Sequence, residues 1–193
     1  MARPREFDRD RALDKATHLF WKQGYEATSV QDLREHLGLH PGSLYNTFRD
    51  KHSLFLEALD RYEATEGERT CQLLGAADAG RTAIRQLFLL VVEADANDPD
   101  RKGCLMVNSA VELAAHDPDV RRRAEASRER LVQLFRQAIL QGQRRGEINA
   151  RHDADALAQF LTNSLFGLRL TAKLVGEKAT LLQVVETTLR AID

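Results

Sequence analysis

The amino-acid sequence predicts an all-α protein. Three observations carry that expectation. Apolar residues recur at i, i+3, i+4 spacing in one segment after another. Residues that start and stop helices bracket those segments. No stretch alternates apolar and polar residues as a half-buried strand does. At 193 residues, only four of them proline, the chain has room for a small domain joined to a larger one. The expected division is a helix-turn-helix domain over residues 1–60 and a larger helical domain over residues 61–193.

The first helix spans 9–23, where Ala12, Leu13, Ala16, Leu19 and Phe20 form one stripe and Gly24 follows as a stop. "Thr28-Ser29-Val30-Gln31" reads as a capping box, starting a second helix at Ser29 with Val30, Leu33 and Leu37 on its buried face. Gly38 ends that helix after a few turns. Leu39 follows as an apolar plug, and then "His40-Pro41-Gly42" breaks the pattern. Proline suits the first position of a helix, so the break is a restart: His40 at the N-cap and a short helix from Pro41 to about Thr47. Asp50 caps the next helix, which begins at Lys51 and turns Leu54, Phe55, Ala58, Leu59 and Tyr62 inward. Short helix, tight turn, short helix is the helix-turn-helix pattern. After the joint "GAADAGR", helical stretches cover about 81–96, 104–115, 119–145, 153–175 and 178–191.

Composition excludes several classes. The formal net charge is −1, so any nucleic-acid contact must come from a local arrangement of positive groups. No run reaches the roughly 18 apolar residues a membrane span needs, and "MARPREFDRD" has no apolar signal-peptide core, so a cytoplasmic location is expected. Cys71 and Cys104 do not make a disulfide framework and are expected reduced. The six histidines show no metal-ligand spacing, and neither metal nor cofactor is expected. No nucleophile–base pair, carboxylate pair or phosphate-cradling loop points to an enzyme.

A helix-turn-helix at 28–48 would lay its second short helix in the DNA major groove while the first crosses the backbone. His40, Gly42, Ser43 and Asn46 would then lie near bases or phosphates. Tyr45, Thr47 and Lys51 suit phosphate contacts, Lys51 helped by the N-terminus of its own helix. Two packed helices of an ordinary bundle would give the same pattern.

The stretch "ALDKATHLFWKQGYEATSVQDLREHLGLHPGSLYNTFRDKHSLFLEAL" resembles the DNA-binding domain of the TetR family of bacterial transcriptional regulators. The resemblance covers about residues 9–59 and rests on Ala16, Leu19, Phe20, Gly24, "GYEATSV", "LGLHPGSLY" and "F-x-x-K-x-x-LF". It implies that Thr28, Ser43, Tyr45 and Lys51 contact DNA and that a homodimer binds a palindromic operator. His40 stands where that family usually has Ser or Thr, and Thr47 where His is frequent.

The second half resembles the family's ligand-binding and dimerisation region more weakly, through "GCLMVNSAVELAAHDPDVRRR". A helix carrying Leu105, Met106, Val107, Val111 and Leu113 beside Asn108, Ser109 and Glu112 suits a small-molecule cavity with a few orienting hydrogen bonds. Phe88, Phe135, Phe160, Phe166 and Asn163 would complete its walls; otherwise they are ordinary core. Cys104, after Lys102-Gly103 near a helix start, sits where a thiolate is favoured. The last two helices are more apolar than surface helices need, and with their two-fold mates would form a four-helix interface. Together these imply a repressor released from its operator by a small-molecule effector. The alternatives are the same fold gated by Cys104 oxidation, and a helical small-molecule carrier that binds no DNA.

Overall fold

The structure, a computed structural model, describes residues 9–38 and 43–193, less the side chains of Ser43, Tyr45 and Asn46. It is helical throughout, with no strand among the described residues. Helix α1, Arg9–Gln23, buries Ala12, Leu13, Ala16, Leu19 and Phe20. Gly24 ends it at φ +86°, its N–H bonded to the Phe20 carbonyl at 2.8 Å. Helix α2, Val30–Leu37, opens on a reciprocal cap. The Ser29 hydroxyl accepts from the Asp32 N–H at 3.0 Å, and the Asp32 carboxylate accepts from the Ser29 N–H at 2.8 Å. The box therefore closes on Asp32 rather than Gln31, one residue later than the sequence reading set it. Gly38, left-handed at φ 70°, stops α2.

Helix α3 is Ser43–Phe48, with Leu44 and Phe48 buried. The restart expected at His40-Pro41-Gly42 lies outside the described residues. Helix α4, Lys51–Tyr62, is capped by Asp50, whose carboxylate accepts from the Ser53 N–H at 2.6 Å. The chain then stays helical past residue 60. A π-turn over Glu63–Gly67 leads straight into α5, Glu68–Leu74, so the expected boundary falls inside one helical run. The Thr65 hydroxyl donates to the Arg61 and Tyr62 carbonyls there, the back-bonding that helps loosen a helical turn.

Five more helices follow: α6 Arg81–Ala96, α7 Leu105–Leu113, α8 Pro118–Arg144, α9 Ala154–Leu174 and α10 Lys178–Arg190. None is long and apolar enough to cross a membrane, among the described residues. Two apolar cores organise them. The first joins α1 to α4 around Phe20, Leu33, Phe48 and Phe55, and it also takes Leu105, Met106 and Leu113 of α7 and Val120 of α8. Most of the apolar side of α7 thus packs with the amino-terminal helices, although it begins more than forty residues after them. The second joins α5, α6, α8, α9 and α10 around Phe88, Phe135, Leu161 and Val185.

Candidate nucleic-acid interface and adjoining cavity

The helix pair α2–α3 is built on the first core. Leu33 and Leu37 anchor α2, and Leu44 and Phe48 anchor α3, each fully or almost fully buried. Phe55 of α4 lies under them against Phe20, ring centroids 5.0 Å apart and edge-on. Arg49 follows α3 at φ 66°, exposed, and the sequence reading had not singled it out. Lys51 opens α4 half-buried, its ammonium 4.1 Å above the Tyr25 ring, which holds it beside the helix N-terminus. Thr47 is partly exposed. The backbones of Ser43, Tyr45 and Asn46 lie in α3, while His40 and Gly42 fall outside the described residues.

Thr28 needs correcting. It is wholly buried, and its hydroxyl donates to the Gly24 carbonyl at 2.6 Å. Closing the α1–α2 loop consumes the group that a phosphate would need.

Behind α4 lies a cavity of about 80 Å³, between α4–α5, α6, α7, α8 and α9. Space of that order admits a few water-sized groups or one small molecule. Of the expected ligand residues, Cys104, Met106 and Phe166 line it. The others do not. Phe88 and Phe135 sit against each other in the second core, centroids 6.1 Å apart. Leu105 is buried in the first core. The Ser109 hydroxyl donates to the Leu105 carbonyl and the Asn108 amide to the Lys102 carbonyl, so both polar groups serve their own segment. Asn163 and Phe160 are exposed on the outer side of α9. Helical periodicity assigned the faces of these residues, but not which neighbour each face meets.

Several groups on the cavity wall were not foreseen. Tyr62 is buried, with its hydroxyl donating to the Cys104 sulfur at 3.6 Å. Burial, with Cys104 beside it, pushes the phenol well above its ordinary value, so it stays a neutral donor. Arg169 of α9 donates through Nε and Nη2 to the two oxygens of Asp95, at 3.2 and 3.1 Å, and through Nη2 to the Gly103 carbonyl at 3.1 Å. Burial works against its charge, but Tyr62, Cys104 and Asp95 outweigh burial and raise the pKa, so the guanidinium is held cationic. Glu63 accepts from Ser127 at 2.8 Å and pairs with Arg130, while Glu66 pairs with Arg69. An arginine 65 residues beyond Cys104 offers no local motif; only the fold brings the two together. The Lys102 ammonium, two residues before Cys104 in sequence, pairs with Asp98 at 2.7 Å and lies 5.4 Å over the Trp21 ring.

Several polar ties join the cavity helices to the amino-terminal ones. The Glu112 carboxylate, on α7, accepts from the Tyr25 N–H at 3.1 Å and the Glu26 N–H at 2.7 Å. The Trp21 indole N–H donates to the Gly103 carbonyl at 2.9 Å. His52 of α4 meets Asp117, the cap of α8, at 2.8 Å, and Arg123 forks onto Asp60 at 2.8 and 3.0 Å.

Comparisons with known proteins agree with this arrangement. The family model described as bacterial regulatory proteins, tetR family, matches residues 12–58. The model described as tetracyclin repressor-like, C-terminal domain, matches residues 80–188. The chain is 36% identical over its whole length to YezE of Bacillus subtilis, an uncharacterized HTH-type transcriptional regulator, and covers all of it. It is 35% identical to ComR of Escherichia coli, an HTH-type transcriptional repressor, over 97% of this chain and 90% of that one. Among solved structures, a cysteine variant of the TetR family regulator CifR, complexed with 26-bp double-strand operator DNA, superposes with a TM-score of 0.87 at 36% identity, covering both chains entirely.

Proposed function

The chain belongs to the tetR family of bacterial regulatory proteins, and from that premise we propose that it is a cytoplasmic transcriptional repressor. It binds a palindromic operator as a homodimer and lets go when a small molecule fills the cavity behind α4. One observation carries the release mechanism. Tyr62, Cys104 and Met106 line the cavity and also pack into the core that supports α2 and α3. A ligand that prefers a different placement of these three favours a different placement of the recognition helix, and shifts the population by that difference in affinity. Two recognition helices must lie about one DNA turn apart, roughly 34–36 Å, to dock together. A small displacement at α4 and α7 is therefore enough.

In this reading α3 enters the major groove, His40, Gly42, Ser43 and Asn46 meet bases or phosphates, and Tyr45, Thr47, Lys51 and Arg49 take phosphates. For the dimer, α9 leaves Phe160, Asn163, Gly167, Leu170 and Leu174 along one outward stripe, with Phe160, Leu170 and Leu174 exposed by 41, 52 and 71%. The spacing is that of a helix seam, and Gly167, with open space around its missing side chain, permits close approach of a second helix.

Selection from random duplexes followed by gel shift tests the proposal. The expected result is a palindromic site bound with an affinity that falls steeply with salt. Failure to bind any duplex would favour the carrier reading. Cys104 supports a second trigger, since its thiol lines the cavity beside the Tyr62 hydroxyl. If peroxide still releases Cys104→Ser from DNA, the thiol is not the switch.

A further inference from the structure

The cavity wall carries one largely buried cation, its side chain 15% exposed, whose hydrogen-bonding capacity is only partly used. A guanidinium offers two forked edges, one made by Nε and Nη2, the other by Nη2 and Nη1. On Arg169 the first fork holds Asp95. On the second, the Gly103 carbonyl takes one prong through Nη2, and no described residue accepts from Nη1. Arg169 and Cys104 both line the cavity, which puts the Arg169 side chain at its wall. The acids of the wall are already compensated, Glu63 by Arg130 and Ser127, Glu66 by Arg69. Leu87, Met106, Leu165 and Phe166 supply an apolar wall, and the Tyr62 hydroxyl, donating to the Cys104 sulfur, completes it.

We propose that the cavity recognises a small monocarboxylate with a short apolar body, and that Arg169 reads it by exchanging the Gly103 carbonyl for a carboxylate oxygen. One ligand oxygen takes the free Nη1–H and the other displaces Gly103 from Nη2, giving the two-pronged geometry that carboxylates favour. This names the effector class of the regulator proposed above and rests on that reading. The exchange also leads out of the cavity. The Gly103 carbonyl is shared with the indole N–H of Trp21, near the end of α1, so withdrawing Arg169 changes the setting of a residue in the amino-terminal domain.

Trp21 is the chain's sole tryptophan, so its emission reports the exchange with no DNA present. The full-length protein is titrated with acetate, propionate, butyrate, pentanoate and hexanoate, and with the primary amide of each, at constant ionic strength. The expected result is a saturable change in emission with at least one acid, at a concentration about tenfold or more below that of its amide. Arg169→Lys, which keeps a cation for Asp95 but removes the fork, is expected to lose that preference. The proposal is overturned if no acid changes the emission, if amides act as well as acids, or if Arg169→Lys discriminates as the native chain does. The acid–amide comparison needs only the native chain and decides the matter even if the variant misfolds. Gel shift is scored separately: DNA binding without a carboxylate response refutes this proposal alone, and a carboxylate response without DNA binding refutes the regulator reading.

Discussion

Replacing Glu112 tests how the two halves of the molecule are joined. Its carboxylate collects the N–H groups of Tyr25 and Glu26, at 3.1 and 2.7 Å, across a sequence separation of more than eighty residues. Hydrogen bonds to a charged acceptor contribute about 1.5–3 kcal/mol each when the donor would otherwise go unpaired. Glu26 is exposed and Tyr25 partly so, and water can take over both amides, which places the pair near the low end. Glu112→Ala is therefore expected to cost about 2 kcal/mol, and Glu112→Gln, which keeps one carbonyl oxygen, about 1 kcal/mol. In a chain of this size those losses lower the melting temperature by roughly 4–8 and 2–4 °C. Gly24 supplies an internal control. It stands at φ +86°, and a methyl group there would lie 3.0 Å from the Glu112 carboxylate. Gly24→Ala costs about 1–2 kcal/mol for the backbone alone, plus whatever it does to the clasp. In the Glu112→Ala background only the backbone part remains, so the two changes are expected to be non-additive in guanidinium denaturation. If Glu112→Ala lies within about 0.5 kcal/mol of the native chain, the clasp contributes no more than an ordinary surface residue and the reasoning is wrong.

Three further outcomes are expected. Ser29→Ala removes the hydroxyl that caps α2 and is expected to cost about 1 kcal/mol in denaturation, with Ser29→Gly less harmful. The Asp117 carboxyl is opposed by burial, but the Val120 N–H, the His52 ring and the Asp119 N–H outweigh it and hold it below its ordinary value of about 3.9. A lowered folded value means that its stabilisation is complete above the unfolded value and is lost as pH falls through the folded one. Denaturation followed as pH falls below about 4 should therefore show a shallower acid slope for Asp117→Asn than for the native chain. Placing Glu at both Leu170 and Leu174 puts like charges on the outward stripe of α9. Sedimentation is expected to show a monomer, and a dimer that persists would move the interface elsewhere.

Much of the local architecture was legible in the sequence. The first helix was read at the bounds the structure gives, and the glycine stops at Gly24 and Gly38 and the Asp50 cap stand where they were expected. Those features depend on groups within four residues of each other, so a linear reading captures them. The one-residue error in the α2 cap has the same origin. Gln31 and Asp32 both suit a capping box, and only the position of the helix start selects between them. The cavity was read less well. Most residues expected there face elsewhere, because periodicity says that a face is apolar without saying which helix covers it.

By itself the sequence determined that the chain is helical, where its first helix begins and ends, where α2 stops and α4 starts, and that its opening stretch carries a helix-turn-helix. Caps, stops and apolar spacing are short-range physics, written in neighbouring residues. Only the tertiary structure decided that α7 joins the amino-terminal core, that Glu112 grips the loop after α1, and that Arg169, Asp95 and Tyr62 meet around Cys104. Those meetings span forty to eighty-seven residues of chain. The cost of closing such loops grows only slowly with their length, so sequence distance gives little hint of which partners will pair. The choice falls to the packing of whole helices.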